Sequence, residues 1–315
     1  MLESARSASD RRADFKAALG AGRLLRLPGA FNGLVARLVA EAGFEGTYLS
    51  GAALSASLAL PDLGLTTLSE VAQRTAEITR ACDLPVLVDA DTGFGEPLNA
   101  ARTLQLLEDA GASGCHLEDQ VNPKRCGHLE GKQVVSRAEM VRRITAACAA
   151  RRDENFVLCA RTDARAIEGL DGAIERAKAY VDAGADLIFP EALTGPAEFA
   201  AFAAAVPAPI LANMTEFGKS ELSDTATLHD AGVRVVIYPV TTLRLAMGAV
   251  ERGLRELASA GTQVGLVGEM QTRARLYEVL DYEAYGAFDT EVYRRSLGET
   301  DGFKEGSRSE RPTAR

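Results

Sequence analysis

Short apolar runs that alternate with amphipathic stretches are the feature that most constrains how this chain can fold. Apolar runs of this kind fit strands that are buried on both faces of a parallel sheet. The sequence predicts eight strands, at Leu24–Leu27, Gly46–Ser50, Val86–Asp91, Gly114–Glu118, Phe156–Arg161, Leu187–Glu191, Ile210–Asn213 and Val235–Pro239. Helices are predicted between and after them, at Asn32–Ala42, Leu68–Cys82, Leu98–Ala110, Arg137–Arg151, Leu170–Ala183, Ala197–Ala205, Ser223–Ala231 and Thr242–Ala260.

Glycines mark the ends of several of these helices. Gly43, Gly111, Gly184 and Gly232 each follow a helix and precede a strand, where a left-handed cap turns the chain back to the sheet. Eight βα units predict an α/β fold, a (β/α)8 TIM-type barrel. A doubly wound open sheet is the alternative, which periodicity alone does not exclude.

The segments outside the repeats complete the predicted domain organisation. Residues 1–12 and 301–315 are polar and charged, which predicts a disordered tail at each end. Residues 13–300 form the predicted barrel domain with its C-terminal helical extension. Because the extension after Gly261 lies beyond the eighth unit, it must pack outside the barrel or against another subunit.

Composition excludes several classes of function. The 315-residue chain has a net charge of −9, which argues against nucleic acid as a partner. No apolar run reaches the roughly 18 residues that a membrane span needs, and the N-terminus has no signal-peptide pattern, so we expect a cytoplasmic protein without a membrane partner. The five cysteines form no CxxC pair, which indicates reduced thiols rather than a zinc site or a disulfide framework.

Polar residues follow nearly every predicted strand. In a barrel, the carboxyl ends of the strands meet at one rim, where active sites lie. The sequence therefore predicts an active site from residues of many strands: Ser50, Gly51, Asp89, Asp91, Glu118, Arg161, Glu191, Asn213 and Thr215.

Two kinds of charge at this rim suggest its ligands. Asp89 and Asp91 are two residues apart, so on a regular strand they face the same side. With Glu118 they suit Mg²⁺, or Mn²⁺ as an alternative, although a pair of solvated loop acids gives the same pattern. Arg161 ends a buried strand and needs a partner, either Glu191 or a substrate carboxylate. Arg244 and Arg273 are further candidates to hold a small di- or tricarboxylate.

The segment Lys124-Arg125-Cys126-Gly127-His128 holds the one cysteine with cationic neighbours. A thiol beside Lys, Arg or His⁺ has a lowered pKa, which suits proton transfer or nucleophilic chemistry at neutral pH. Gly127 allows the backbone to approach a ligand closely. A solvated surface loop with an unreactive cysteine explains the same residues.

These phrases together resemble the isocitrate lyase/phosphoenolpyruvate mutase superfamily. The likeness runs from about Leu24 to Tyr285. It rests on Tyr48-Leu49-Ser50-Gly51, Val88-Asp89-Ala90-Asp91, His116-Leu117-Glu118-Asp119-Gln120, Lys124-Arg125-Cys126-Gly127-His128, Ala160-Arg161-Thr162-Asp163, Phe189-Pro190-Glu191-Ala192 and Met270-Gln271-Thr272-Arg273. Within the superfamily it is similar to the carbon–carbon lyases that cleave 2-methylisocitrate to pyruvate and succinate.

The resemblance implies a mechanism and roles for residues. Mg²⁺ held by Asp89, Asp91 and Glu118 would stabilise the developing oxyanion, a base near Ser50, with Tyr48 as the candidate, would take the hydroxyl proton, and Cys126 would protonate the succinate carbanion. The remaining implied site residues are Lys124, Arg125 and His128 around the thiol, and Ser50, Gly51, Ala52, Gly127, Arg161, Glu191, Asn213, Thr215, Arg244 and Arg273 for the substrate. It also implies a mobile lid and a homotetramer with swapped C-terminal helices.

Two departures leave the substrate open. After the cysteine motif the chain reads Leu129-Glu130-Gly131-Lys132, where lyases for 2-methylisocitrate often have Arg-Pro-Asn-Lys, and the loop after Ser50 is less rich in glycine. Isocitrate, 2,3-dimethylmalate and oxaloacetate are therefore alternative substrates, with Phe189 and Ile237 expected near a methyl group. A non-catalytic ligand-binding protein of the same fold is a further alternative.

Overall fold

Eight parallel strands form a nearly closed barrel in the computed structural model, which describes residues 6–125, 127 and 131–296. The order β1-β8-β7-β6-β5-β4-β3-β2 confirms the predicted TIM-type fold rather than the doubly wound sheet. A single bridge, between Gly29 and Tyr48, joins the first two strands. The strands are β1 Leu25–Pro28, β2 Thr47–Leu49, β3 Val86–Asp89, β4 Gly114–Glu118, β5 Val157–Thr162, β6 Leu187–Pro190, β7 Ile210–Asn213 and β8 Val233–Tyr238.

Helices follow the strands, as the amphipathic stretches predict. Gly169 interrupts α7 with φ of 79°, and a short helix, α3, follows β2 where the sequence indicated none. The helices of the barrel are α1 Ala8–Gly20, α2 Gly33–Glu41, α3 Gly51–Ser57, α4 Leu68–Ala81, α5 Pro97–Asp109, α6 Arg137–Ala150, α7 Arg165–Asp182, α8 Pro196–Ala205, α9 Thr225–Asp230 and α10 Thr241–Ala260, before a 3-10 helix at Val264–Glu269.

The apolar core has two layers, because successive side chains of a strand point to opposite faces. Leu25, Leu27 and Leu87 belong to a cluster inside the barrel, whereas Val86 and Val88 of β3 pack outward against the helices. This arrangement leaves the carboxyl ends of the strands free for polar groups.

Helix α1 corrects the predicted N-terminal tail. Residues 8–12 are helical rather than disordered, and Phe15 of α1 joins the interior cluster. Arg12 is buried, and its guanidinium donates hydrogen bonds to the carbonyls of Ala112 at 2.8 Å and Glu108 at 2.6 Å. These contacts could not be predicted from composition, because the sequence does not distinguish an arginine that binds carbonyl groups from one that is solvated. The predicted tail at 301–315 lies outside the described residues.

Residues 269–296 belong to a second compact unit. It contains α11 Arg273–Leu280 and α12 Tyr282–Ser296, with Asp281 between them at φ of 57°. Tyr277 and Tyr282 stack with ring centroids 4.6 Å apart. Helices after the barrel are therefore confirmed, while their exchange between subunits stays a prediction. No helix within residues 6–296, as far as they are described, is long and apolar enough to cross a bilayer.

Candidate active site

A small cavity lies where the carboxyl ends of the strands converge. Its volume is about 90 Å³, below the roughly 300–1,000 Å³ of most ligand pockets, so the charged groups around it contact one another. A depression of about 720 Å³ lies beside it, but of the predicted site residues that depression includes Asp91 alone. The small cavity is the candidate site because it is lined by Tyr48, Ser50, Ala52, Asp62, Asp89, Lys124, Arg125, Gly127, Arg161, Phe189, Glu191, Asn213, Thr215, Ile237, Pro239, Val240 and Arg244.

Asp89 and Asp91 are buried beside the cavity. Asp89 ends β3 and accepts a hydrogen bond from the backbone N–H of Gly51 at 2.9 Å. Asp91 lies past the strand with φ of 46°, so the prediction that both residues belong to one regular strand was wrong. The turn still brings them together, since the N–H of Asp91 donates to Oδ1 of Asp89 at 3.1 Å.

The pKa values of the two carboxyl groups are shifted in opposite directions. Burial and the neighbouring charge of Asp89 raise the pKa of Asp91 to about 6. Burial would raise the pKa of Asp89 as well, but His116, Lys124 and Arg161 hold it below its ordinary value. Two like charges this close need a cation, and the Lys124 ammonium lies 2.8 Å from Oδ1 of Asp91.

Arg161 is the most heavily paired cation of the site. Its guanidinium binds both oxygens of Asp163, at 2.9 and 3.1 Å, and lies 3.3 Å from Oε2 of Glu118 and 3.7 Å from Oε1 of Glu191. These four residues are all buried. The sequence predicted Glu191 as a possible partner, but Asp163 is the closer one.

Tyr48 and His116 form a buried pair beside Asp89. The Tyr48 hydroxyl lies 2.7 Å from Nε2 of His116, and the same nitrogen is 3.3 Å from Oδ1 of Asp89. Burial raises the pKa of Tyr48 well above its ordinary value and lowers the pKa of His116 to about 4. Tyr48 is therefore a protonated phenol with a neutral imidazole as its neighbour.

The loop after β4 covers one side of the cavity. Gln120 holds both backbone groups of Arg125, at 2.9 Å to its N–H and 2.8 Å to its carbonyl. A Cβ placed on Gly127 would lie 2.2 Å from Oε1 of Glu191 and 2.3 Å from Nη2 of Arg161. No side chain fits there, so the glycine backbone itself packs against the charged pair.

Comparisons with known proteins agree with this geometry. The sequence profile of the phosphoenolpyruvate phosphomutase family matches residues 15–258. The chain belongs to this family. It is 62% identical to the "Probable 2-methylisocitrate lyase 2" of Corynebacterium glutamicum, over 94% of this chain and 96% of that protein.

Solved structures of the phosphoenolpyruvate phosphomutase family share the fold. A 2,3-dimethylmalate lyase, described as a PEP mutase/isocitrate lyase superfamily member, has a TM-score of 0.84 at 33% identity, over 91% of this chain and 96% of that one. A phosphonopyruvate hydrolase in complex with oxalate and Mg²⁺ has a TM-score of 0.81 at 30% identity, over 90% and 99% of the two chains.

The cavity and the residues next to it gather most of the predicted site residues. Gly51, Asp91 and Glu118 do not line the cavity but contact residues that do. Arg273 begins α11 in the C-terminal unit, where it is exposed. Cys126 and His128 lie outside the described residues, so their roles stay predictions. Phe189 and Ile237, expected near a substrate methyl group, line the cavity.

Sequence reasoning missed three residues that pair with the charged groups around the cavity. Asp62 pairs with Lys124, Asp163 holds Arg161, and Lys132 contacts Asp163. Asp163 follows Arg161 by two positions, so the strand period could have paired them. Asp62 and Lys132 lie in loops, for which the sequence gives no comparable signal.

The carboxylates fit the Mg²⁺ that the family resemblance implies. Within the described part of the chain, no three His, Cys, Asp or Glu side chains form a complete metal centre. Mg²⁺ does not require one, because it binds one or two carboxylates and keeps several waters. Asp89 and Asp91 supply adjacent buried carboxylates, and Oε1 of buried Glu118 has no hydrogen-bond partner among the described residues. This donor set suits a hard cation.

Substitution of Gly127 tests the close approach of the loop. We expect Gly127→Ala to lower the free energy of unfolding by about 1–3 kcal/mol, because the new methyl group must displace Arg161 or Glu191. Urea denaturation measures this change. Gly20→Ala is the control, since a Cβ there meets nothing within 4 Å. Equal stability of the Gly127 variant and the wild type would contradict the described packing.

Proposed function

We propose that this chain is a Mg²⁺-dependent carbon–carbon lyase that cleaves 2-methylisocitrate to pyruvate and succinate, a step of propionate breakdown by the methylcitrate cycle. The observation that carries the proposal is the cavity itself. It joins buried Asp89, which is hydrogen-bonded to Asp91 just outside the cavity, with cationic and amide groups suited to a small polycarboxylate. The 62% identity to a probable 2-methylisocitrate lyase supports the choice of substrate.

Substrate carboxylates would bind on the side of Arg161. Arg161 is already oriented by Asp163, and a planar guanidinium binds a carboxylate through two parallel hydrogen bonds. Asn213, Thr215 and Arg244 line the same cavity and offer further donors. Each charge-assisted hydrogen bond contributes about 1.5–3 kcal/mol, so a few of them can hold a tricarboxylate.

Asp89, Asp91 and Glu118 would hold the metal. Bound there, Mg²⁺ supplies Lewis-acid stabilisation of negative charge on the substrate hydroxyl and α-carboxylate oxygens. Lys124 carries a positive charge at the same place, because Asp91, Glu118 and Asp89 more than offset the effect of burial and raise its pKa.

Bond cleavage requires one base and one acid. The base removes the hydroxyl proton and the C–C bond breaks. The carbon that carried the hydroxyl group becomes the keto carbon of pyruvate, and the electron pair of the broken bond remains on the succinate fragment. Tyr48 is the candidate base. Because it is protonated, it would pass its own proton to Nε2 of His116, 2.7 Å away, as it takes the hydroxyl proton of the substrate. Cys126 is the candidate acid that protonates the succinate carbanion, since its neighbours in sequence are cationic.

An assay of keto-acid release tests the substrate. We expect purified protein with Mg²⁺ to release pyruvate from 2-methylisocitrate, and Cys126→Ser to lose at least about a hundred-fold in kcat because the general acid is gone. Isocitrate, 2,3-dimethylmalate and oxaloacetate are offered separately. If only one of these three acids is turned over, that acid is the substrate instead. If none of the four acids is turned over, the lyase proposal is refuted.

Metal removal tests the carboxylate site. We expect EDTA to abolish turnover and Mg²⁺ to restore it. At a hundred times its dissociation constant, Mg²⁺ should stabilise the wild type by about 2.7 kcal/mol, which thermal unfolding detects. Asp89→Asn should remove this stabilisation, whereas Asp230→Asn, at an exposed side chain, should keep it. Equal Mg²⁺ stabilisation of both variants would place the metal elsewhere.

We also propose that the chain forms a homotetramer in which C-terminal helices are exchanged. Helix α10 has no buried residue, although Met247, Val250, Leu254 and Leu257 are spaced to form one apolar face, 44–60% exposed. An exposed stripe of this kind marks an association surface. The cytoplasmic location and the absence of a nucleic-acid partner stay predictions.

The apolar face of α10 makes the assembly testable. We expect sedimentation to give the mass of a tetramer for the wild type and a smaller mass for Leu254→Lys, because a buried lysine without a partner is costly. Lys178→Met, a surface change on α7, should leave the mass unchanged. A monomeric wild type would refute the assembly.

A further inference from the structure

Lys132 is a buried cation to which the proposed reaction gives no role. Its side chain is 2% exposed. It lies where the loop after β4 returns to the barrel. The stem of that loop is fixed by backbone hydrogen bonds, from Val121 to Gln133 at 2.9 Å and from Val135 to Asp119 at 2.8 Å. A lysine is seldom buried unless it is paired, so its partners indicate its purpose.

The ammonium of Lys132 joins two parts of the site. It lies 2.8 Å from Oδ1 of Asp163 and donates a hydrogen bond to the carbonyl of Gly127. Asp163 is the same carboxylate that orients Arg161, through Nε at 2.9 Å and Nη2 at 3.1 Å. Lys132 therefore connects the backbone of Gly127 to Asp163, the carboxylate that orients Arg161.

Asp163 is a fixed anchor for this connection. It is fully buried, and its backbone N–H donates to Oδ1 of Asp119 at 2.8 Å. Burial would raise the pKa of Asp163, but Arg161 and Lys132 lower it to about 2. Arg161 and Asp119 still hold Asp163 when Lys132 is removed, so Asp163 keeps its place while the carbonyl of Gly127 loses its donor.

The close contact of Gly127 with its neighbours leaves little room for its backbone to shift. Its backbone packs against Arg161 and Glu191 so closely that a Cβ would overlap both. The carbonyl of Gly127 needs a donor once it is buried, since an unpaired buried acceptor costs about 1–3 kcal/mol. The three donors of an ammonium allow Lys132 to bind this carbonyl and Asp163 together.

We propose that Lys132 is a positioning residue that latches the Gly127 carbonyl to Asp163, and so holds the Gly127 backbone in register with Arg161 during the reaction. The inference rests on the proposed lyase function for its kinetic consequence. Its structural consequence, a Gly127 backbone that is displaced from Arg161 when the latch is lost, holds for any activity of the site.

The test compares Lys132→Met with wild type and with Lys178→Met, a lysine-to-methionine change at an exposed ion pair. We expect Lys132→Met to lower kcat about ten- to a hundred-fold, because small misplacements in a site cost rate on this scale. KM should change less than about three-fold, since Arg161 keeps Asp163 and Glu118 as partners. If Lys132 supported only the fold, its loss would not lower kcat while leaving KM nearly unchanged.

Limited proteolysis provides a second readout that needs no substrate. Trypsin cleavage after Arg125, followed by mass spectrometry, should accelerate at least about ten-fold in Lys132→Met because cleavage tracks the open population of the loop. Lys178→Met should match the wild type. If Lys132→Met does not fold, Lys132→Gln, which keeps a donor without the charge, is measured in the same way and should show both effects.

The two readouts separate this inference from the proposed function. Unchanged kcat together with unchanged cleavage after Arg125 would overturn the latch. Faster cleavage in a protein whose wild type turns over none of the offered substrates would refute the lyase proposal and keep the latch. A raised KM with normal cleavage would assign Lys132 to substrate binding instead, and would also overturn the latch.

Discussion

Mutual compensation of buried charges is the constraint on which the site depends. Arg161 lies among Asp163, Glu118 and Glu191, and Lys124 lies between Asp62 and Asp91. A single ion removed from water costs several kcal/mol, and a partner recovers this only in good geometry. The barrel provides that geometry, because parallel strands deliver their terminal residues to one rim. Each charge is then ready to exchange its protein partner for a ligand.

A second layer of polar contacts keeps this rim in place. Asp119 accepts hydrogen bonds from the hydroxyls of Thr162 and Tyr180, each at 2.8 Å, and from the backbone of Asp163. These groups have no access to solvent, so each depends on the others for its hydrogen bond. The residues that touch the cavity are thus oriented by residues that do not, and the site is rigid on the β4–β5 side.

The sequence predicted the fold from eight mainly apolar runs alternating with amphipathic stretches, and the family resemblance favoured the barrel over an open sheet. Much of the cavity was also predicted, because several strands end in a polar residue, as with Glu118 and Asn213. Local backbone turns are not visible in this way, so Asp91 was placed on the strand although its φ is positive. Partners distant in sequence were also missed. Asp62 reaches Lys124 across sixty-two residues, and α1 is held by carbonyl groups that composition does not reveal.

The barrel is joined by few hydrogen bonds at the seam between β1 and β2. One bridge joins the strands, supported by hydrogen bonds from Ala30 N–H to Tyr48 O at 2.9 Å and from the Thr47 hydroxyl to Pro28 O at 2.8 Å. Regions with few backbone hydrogen bonds open at the lowest free energy. We therefore expect opening at this seam to cost less free energy than opening between β4 and β5, which pair at five positions. Since Tyr48 and Ser50 lie at the seam, the side of the cavity next to them can widen for a bulkier acid while the arginine side keeps its shape.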